Sequence, residues 1–188
     1  MEQLLGIFSA FGLSASAGLN AYIPLLMIGV IAHYTDWISL SSPWDLLANP
    51  WVLVVLGILV IIEMLADKVP AVNHLNDLIQ TLVRPAAGAV AFAASANVVT
   101  DIHPVLALIC GLLVAGSVHV VKAAAVRPVV TATTGGAGNV PVSLAEDVIS
   151  TVTSFLAIVL PILIAIILVL LLILFFWWQQ RRGEKAPG

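Results

Sequence analysis

Charge is what this sequence has least of. Aspartate, glutamate, lysine and arginine make up 9% of its 188 residues, while 61% are hydrophobic. A soluble domain carries about 25% charged residues, so this composition cannot cover a water-facing surface. The chain is expected to be an integral membrane protein, and its mean hydropathy of +1.13 agrees. The basic residues are few and scattered, which excludes nucleic acid as an expected partner. A lone cysteine, Cys110, lies in an apolar run and excludes both an internal disulfide and a cysteine-rich metal site. The N-terminus lacks a basic region, since Glu2 is the only early charge, and its apolar stretch is broken by Ser and Gly. That is not the pattern of a cleaved signal, so the segment is expected to be retained in the first membrane span. The loop from His33 to Asn49 lacks Lys and Arg but holds Asp36, Asp45, Tyr34, Trp37 and Trp44. It reads as the non-cytoplasmic side.

What is present is a succession of apolar runs, punctuated by proline and glycine. The first, about Leu4 to His33, has a soft middle from Ser14 to Tyr22 followed by Pro24. Two readings stand for it: a packed, kinked helix, or a helix broken in mid-membrane with freed backbone groups. The second run is Pro50 to Ala66. A polar stretch from Asn73 to Gln80 has Leu75, Leu78, Ile79 and Leu82 at helical spacing, giving an amphipathic lead into a third run, Leu82 to Val99. That run is rich in Ala and Gly, as suits a packed interior helix. A fourth, Pro104 to Val121, follows the link Thr100 to His103. Ala123 to Ala145 holds Arg127-Pro128 and T-T-G-G-A-G-N-V-P, a density of Gly and Pro that argues against a continuous helix. The phosphate-loop ending Gly-Lys-Ser/Thr is absent. Ser143 with Glu146 reads as a capping box, predicting a helix start just after Ser143. The last run, Val152 to Trp178, is 27 residues, about 40 Å at ~1.5 Å per residue against a core of about 30 Å. It must tilt or kink, and Pro161 is the expected place. The aromatics Phe175 to Trp178, then Arg181-Arg182, form a belt and a basic anchor, which makes the C-terminus cytoplasmic.

The expected fold is therefore all-α: a polytopic transmembrane helix bundle of about five to six membrane segments with one or two broken or re-entrant elements. It forms a single domain over residues 1–182 with a disordered cytoplasmic tail at 183–188. Pro50, Gly57 and Lys68 recur at one constant offset as Pro104, Gly111 and Lys122, the trace of an internal repeat of the kind transporters use. Five crossings with the C-terminus inside would put Lys68, Arg84, Lys122 and Arg127 outside, against the positive-inside tendency. The Gly-rich stretch could dip into or cross the membrane. The basic residues could be neutralised by Glu63, Asp67, Asp77, Glu146 and Asp147. Or the chain could insert both ways as an antiparallel homodimer. The first two together are the reading adopted.

Charges inside bilayer-length segments are costly unless paired or hydrated, and so mark functional sites. The candidate solute-binding set is Asn20, Glu63, Asp67, Lys68, Asp77, Arg84, His119, Lys122, Arg127, Glu146 and Asp147. Glu63 and Asp67, four apart, share one helix face. These side chains are expected to gather in one hydrated pocket between helices.

The motifs G-L-N-A-Y (Gly18 to Tyr22), E-x-x-x-D-K-x-P (Glu63 to Pro70), R-P-A-A-G (Arg84 to Gly88), H-x-x-K (His119 to Lys122) and S-x-x-E-D (Ser143 to Asp147) stand in this order. Over about residues 10 to 175 the chain resembles the bacterial multi-pass membrane family catalogued as domain of unknown function 4126. That family commonly has an Asn-x-Ser-Pro-like stretch before S-x-x-E-D, where this chain has T-T-G-G-A-G-N-V-P. The resemblance implies a multi-pass architecture in a bacterial inner membrane and no settled activity.

Three functions fit these residues. In a small transporter or channel, the carboxylates take a proton or cation and the bases an anionic group of an ionic solute. In a structural or scaffold protein, the charges pair to fix the bundle. In a membrane-embedded enzyme on lipid-linked substrates, His119 acts as base and Glu146-Asp147 or Glu63 with Asp67 hold a divalent ion. No H-E-x-x-H or nucleophile motif is present, so no catalytic residue and no cofactor is assigned, and any metal stays unknown. The lipid bilayer is the one certain partner of such a chain.

Overall fold

The computed structural model of the protein describes the backbone of residues 2–68, 70–99 and 102–183. Within these it describes the side chains other than those of 2–4, 70–75, 77, 97–99, 162, 165, 176, 178 and 180–183. Among the described residues the chain is all helix and has no strand. The order is α1 (Glu2–Leu19), α2 (Tyr22–Tyr34), a short 3-10 turn (Trp44–Ala48), α3 (Pro50–Ala66) and α4 (Pro70–Val99). Then come α5 (Pro104–Val121), a π-helical turn (Lys122–Val126), α6 (Arg127–Thr134), α7 (Asn139–Val159) and α8 (Pro161–Gly183). Asp101, the side chain of Asp77, those of Arg181 and Arg182, and the tail at 184–188 lie outside the described residues.

Proline sets most of these boundaries. Pro24 has no N–H, and its ring would clash with the carbonyl of Asn20 in a continuous helix, so α1 and α2 separate at Asn20-Ala21. Pro161 disfavours helical geometry at the residue before it, and Leu160 leaves the helix with φ −134° and ψ 60°. The 27-residue run thus breaks where expected. Pro50 and Pro104 each occupy the first turn of a helix, behind a side-chain cap. Asn49 Oδ1 accepts from Trp51 N at 2.9 Å and His103 Nδ1 from Val105 N at 3.3 Å. Gly57 and Gly111, matched in the sequence pattern, do not share a role: Gly57 has nothing within 4 Å of where a Cβ would stand, while Gly111 is packed against Gly88 and Phe92.

Two expectations change. Helix continues from α5 through the π-helical turn into α6 as far as Thr134, so the Gly-rich stretch interrupts helix only at 135–138. There Gly135 and Gly136 take φ of +62° and +91°, a geometry open to residues without a Cβ. The capping box is not used: α7 starts at Asn139, five residues earlier than predicted, and Ser143 and Glu146 face the interior as buried side chains. A buried ion-pair partner was worth more to Glu146 than a surface cap.

α1 is the hub. It packs against α4 and α5, which also pack on each other, and against α7 and α8; α2 and α3 pair and lean on α7. The α1–α4–α5 contact is close because its residues are small. A Cβ on Gly88 would collide with Ala115, and Ser14 Oγ donates to the Gly111 carbonyl at 2.8 Å. Between α1 and α7, Ser16 Oγ lies 2.7 Å from both Ser150 Oγ and Ser154 Oγ, all three fully buried. Replacing Ser16 by Ala leaves both partner hydroxyls short of a bond, and unfolding in detergent is expected to register a loss of about 1–2 kcal/mol.

The burial pattern is inverted relative to a water-soluble protein. Arg84, Glu63, Asp67, Lys122 and six serines or asparagines are buried, while Ile58, Ile61, Leu65, Leu106, Leu113 and Val148 are exposed. Leu78–Ala96, Pro104–Thr134 and Asn139–Val159 are long and apolar enough to cross a membrane, and shorter apolar helices accompany them. The protein is a helical bundle suited to a hydrocarbon solvent.

Candidate functional site

The site grows out of the break between α1 and α2. A helix end leaves backbone groups without partners, N–H at its start and C=O at its finish, and carries a partial charge of the corresponding sign. Both ends are met by a full charge of opposite sign. Lys122 Nζ donates to the Leu19 carbonyl at 3.1 Å, closing α1. Glu63 accepts from Ala21 N at 3.1 Å, opening α2. Asn20 Oδ1 accepts from Tyr22 N and Ile23 N, both at 3.2 Å.

From these two anchors an ion-pair network spreads across α3, α4, the π-helical turn, α6 and α7. Arg84 is fully buried and donates to Glu63 Oε1 from Nε at 3.1 Å and Nη2 at 2.9 Å. Nη2 also reaches Asp67 Oδ2 at 3.5 Å. Asp67 is the crossroads: Arg127 lies at 3.1 Å and Lys122 at 3.7 Å, with Asn76 donating to its other oxygen at 2.7 Å. Glu146 takes Lys122 at 2.7 Å and Arg127 at 3.5 Å. Lys68 donates to the Met64 carbonyl at 2.9 Å and stands 3.7 Å from Asp147, whose Oδ1 accepts from Asn20 at 3.0 Å.

The π-helical turn explains how Lys122 and Arg127 share targets. Residues five apart face different sides of an α-helix, but an i→i+5 turn brings them onto one side, and both meet Asp67 and Glu146. It also accommodates Pro128, whose ring would strain a regular turn.

His119 Nδ1 lies 3.3 Å from Arg84 Nη1 and its Nε2 lies 3.2 Å from Thr81 Oγ1. A guanidinium only donates, so Nδ1 is the acceptor in that contact. That nitrogen lone pair is engaged on Arg84. The carboxylates likewise face guanidinium, ammonium and amide groups. Among the described residues no three His, Cys, Asp or Glu side chains stand together as a metal-ligand group.

Ten of the eleven candidate residues are thus brought together; the side chain of Asp77 lies outside the described residues. The expectation of one gathering place holds in geometry. Most of its described side chains are buried, and two apolar grooves touch its edge at Asp147 and at Lys122 with Glu146. Among the described side chains four carboxylates (Glu63, Asp67, Glu146, Asp147) face four cations (Lys68, Arg84, Lys122, Arg127), so their formal charge cancels. Every Lys and Arg before Arg181 is used in it. Sequence reasoning missed Ser143, whose Oγ is 3.5 Å from Asp67 Oδ2, and Asn76. It also missed the α1–α7 serines, for which Ser150 and Ser154 at i, i+4 are the available signal.

A sequence-family model described as a domain of unknown function (DUF4126) matches residues 7–181. No curated protein and no solved structure matches the chain.

Proposed function

The chain belongs to the family described as domain of unknown function DUF4126, and from that premise we propose that it is a small membrane transporter or channel whose buried ion-pair network binds an ionic solute. The observation that supports this is the helix break at Asn20-Ala21, with Lys122 on one terminus and Glu63 on the other. Discontinuous helices of this kind hold solute charges at their termini in secondary transporters. In this protein two side chains occupy those positions. A carboxylate or phosphate would take the place of Glu63 at Ala21 N and Arg84; a cation would take that of Lys122 among Leu19 O, Asp67 and Glu146. Because the described charges of the network sum to zero, one added charge would sit uncompensated in a poor dielectric. Solute therefore enters with a counter-ion or in exchange for a proton. The internal repeat and a re-entrant Gly135–Gly138 turn belong to this proposal. So do a bacterial inner-membrane location with the C-terminus cytoplasmic, and a homodimer, for which the exposed apolar side chains of α8 from Ile166 to Trp177 give surface.

A second reading, a structural clamp, is favoured by the same charge balance and by the nearly complete pairing. Thermal unfolding in detergent separates the two. Sodium, potassium, magnesium and inorganic phosphate are added singly at constant ionic strength, to wild type and to Lys122→Met. The transport reading expects at least one ion to raise the melting temperature of wild type and to lose that effect in folded Lys122→Met. No ion-specific shift in wild type would leave the clamp.

A further inference from the structure

A groove of about 540 Å³ runs between α2, α3 and α7, walled by Ile23, Met27, Val30, Val60 and Met64, with Asp147 in its lining. Its walls are hydrocarbon, but its end at the network is not. Asp147 is 95% buried by its 5% exposure, and its Oδ2 receives no hydrogen bond. Oδ1 is already taken by Asn20, and Lys68 Nζ, 3.7 Å from Oδ2, is at ion-pair distance but too far for a hydrogen bond. A buried carboxylate oxygen left in this state lacks a donor. Lys68 is the most exposed of the four network cations, at 25%, and it lies one turn beyond Met64.

We propose that this groove binds a phospholipid with a primary ammonium head, of the phosphatidylethanolamine type. Its ammonium donates to Asp147 Oδ2, its phosphate lies against Lys68, and one acyl chain runs along α2 from Ile23 towards Val30. Three observations select this occupant. The orphaned oxygen accepts only, so the head must carry an N–H or O–H donor, and a quaternary ammonium supplies neither. The neighbouring unit charges are of both signs, and a zwitterion, unlike an anionic glycerol head, adds no net charge to a network whose described charges already cancel. The groove wall from Ile23 to Val30 is about 10 Å long at ~1.5 Å per residue, room for the upper part of an acyl chain but not for a compact polar solute. This site stands without the transport reading, since it concerns binding alone.

The test titrates the full-length, delipidated protein in a neutral detergent with dioleoyl phosphatidylethanolamine, phosphatidylcholine or phosphatidylglycerol, reading the melting temperature. The ethanolamine lipid is expected to stabilise saturably, with the other two binding about tenfold more weakly, as the loss of a bond to a charged group implies. Asp147→Asn keeps the size of the side chain and is expected to erase the preference, and Met27→Trp, which fills the groove, to weaken all three lipids. Equal response to the choline lipid or to the glycerol lipid overturns the proposal, as does a preference that survives in Asp147→Asn. Should Asp147→Asn fail to fold, the wild-type lipid comparison together with Met27→Trp decides.

Discussion

Arg84→Met is expected to destabilise the bundle by about 3–5 kcal/mol, the cost of leaving a buried charge without its partner. Arg84 is fully inaccessible and holds Glu63 through two hydrogen bonds while reaching Asp67 and His119. Removing the guanidinium strands Glu63 at 0% side-chain exposure and leaves His119 Nδ1 without that donor. Glu63 also anchors the start of α2 through Ala21 N, so the damage should spread to the helix break. The measurement is unfolding in detergent for wild type, Arg84→Met, Glu63→Gln and the double variant. The double variant is expected to be more stable than Arg84→Met alone, because it replaces a stranded carboxylate by a neutral amide. If Arg84→Met matched wild type, the pair would have to be hydrated rather than buried, and the network would lose its centre.

Gly88→Val is the second large effect expected. The position where its Cβ would stand is already occupied by Ala115 Cβ, with Ser14 Oγ at 3.0 Å and the Gly111 carbonyl at 3.1 Å. All three are on packed helices, and none is the loose end of a long side chain. α4 and α5 must move apart, and overpacking of this kind costs about 1–3 kcal/mol, with the Ser14 bond to Gly111 stretched in addition. Gly57→Val is the control: nothing lies within 4 Å of that position, so its unfolding is expected to stay within about 0.5 kcal/mol of wild type, as for surface changes. Equal loss at the two glycines would mean that close helix approach is not what Gly88 supplies.

Much of this protein was legible in the chain because its punctuation is local. Pro50, Pro104 and Pro161 each act on their own turn, so α3, α5 and the break before α8 fell where the residues put them. Ser143 shows why the α7 start was misread. A capping box describes a helix end facing water, and here Glu146 had Lys122 at 2.7 Å as a stronger partner. The π-helical turn was also illegible, since Lys122 and Arg127 look badly placed for a common target until five residues are wound into one turn.

Sequence alone determined that the chain suits a bilayer and that its few interior charges had to find one another, because hydrocarbon solvates neither ions nor open helix ends. Only the tertiary structure decided which charge meets which. Lys122 and the Leu19 carbonyl are 103 residues apart, and Asn20 and Asp147 127 apart. Such pairings depend on how each helix is rotated and shifted against its neighbours. That is a property of packing between surfaces, and no single segment contains it.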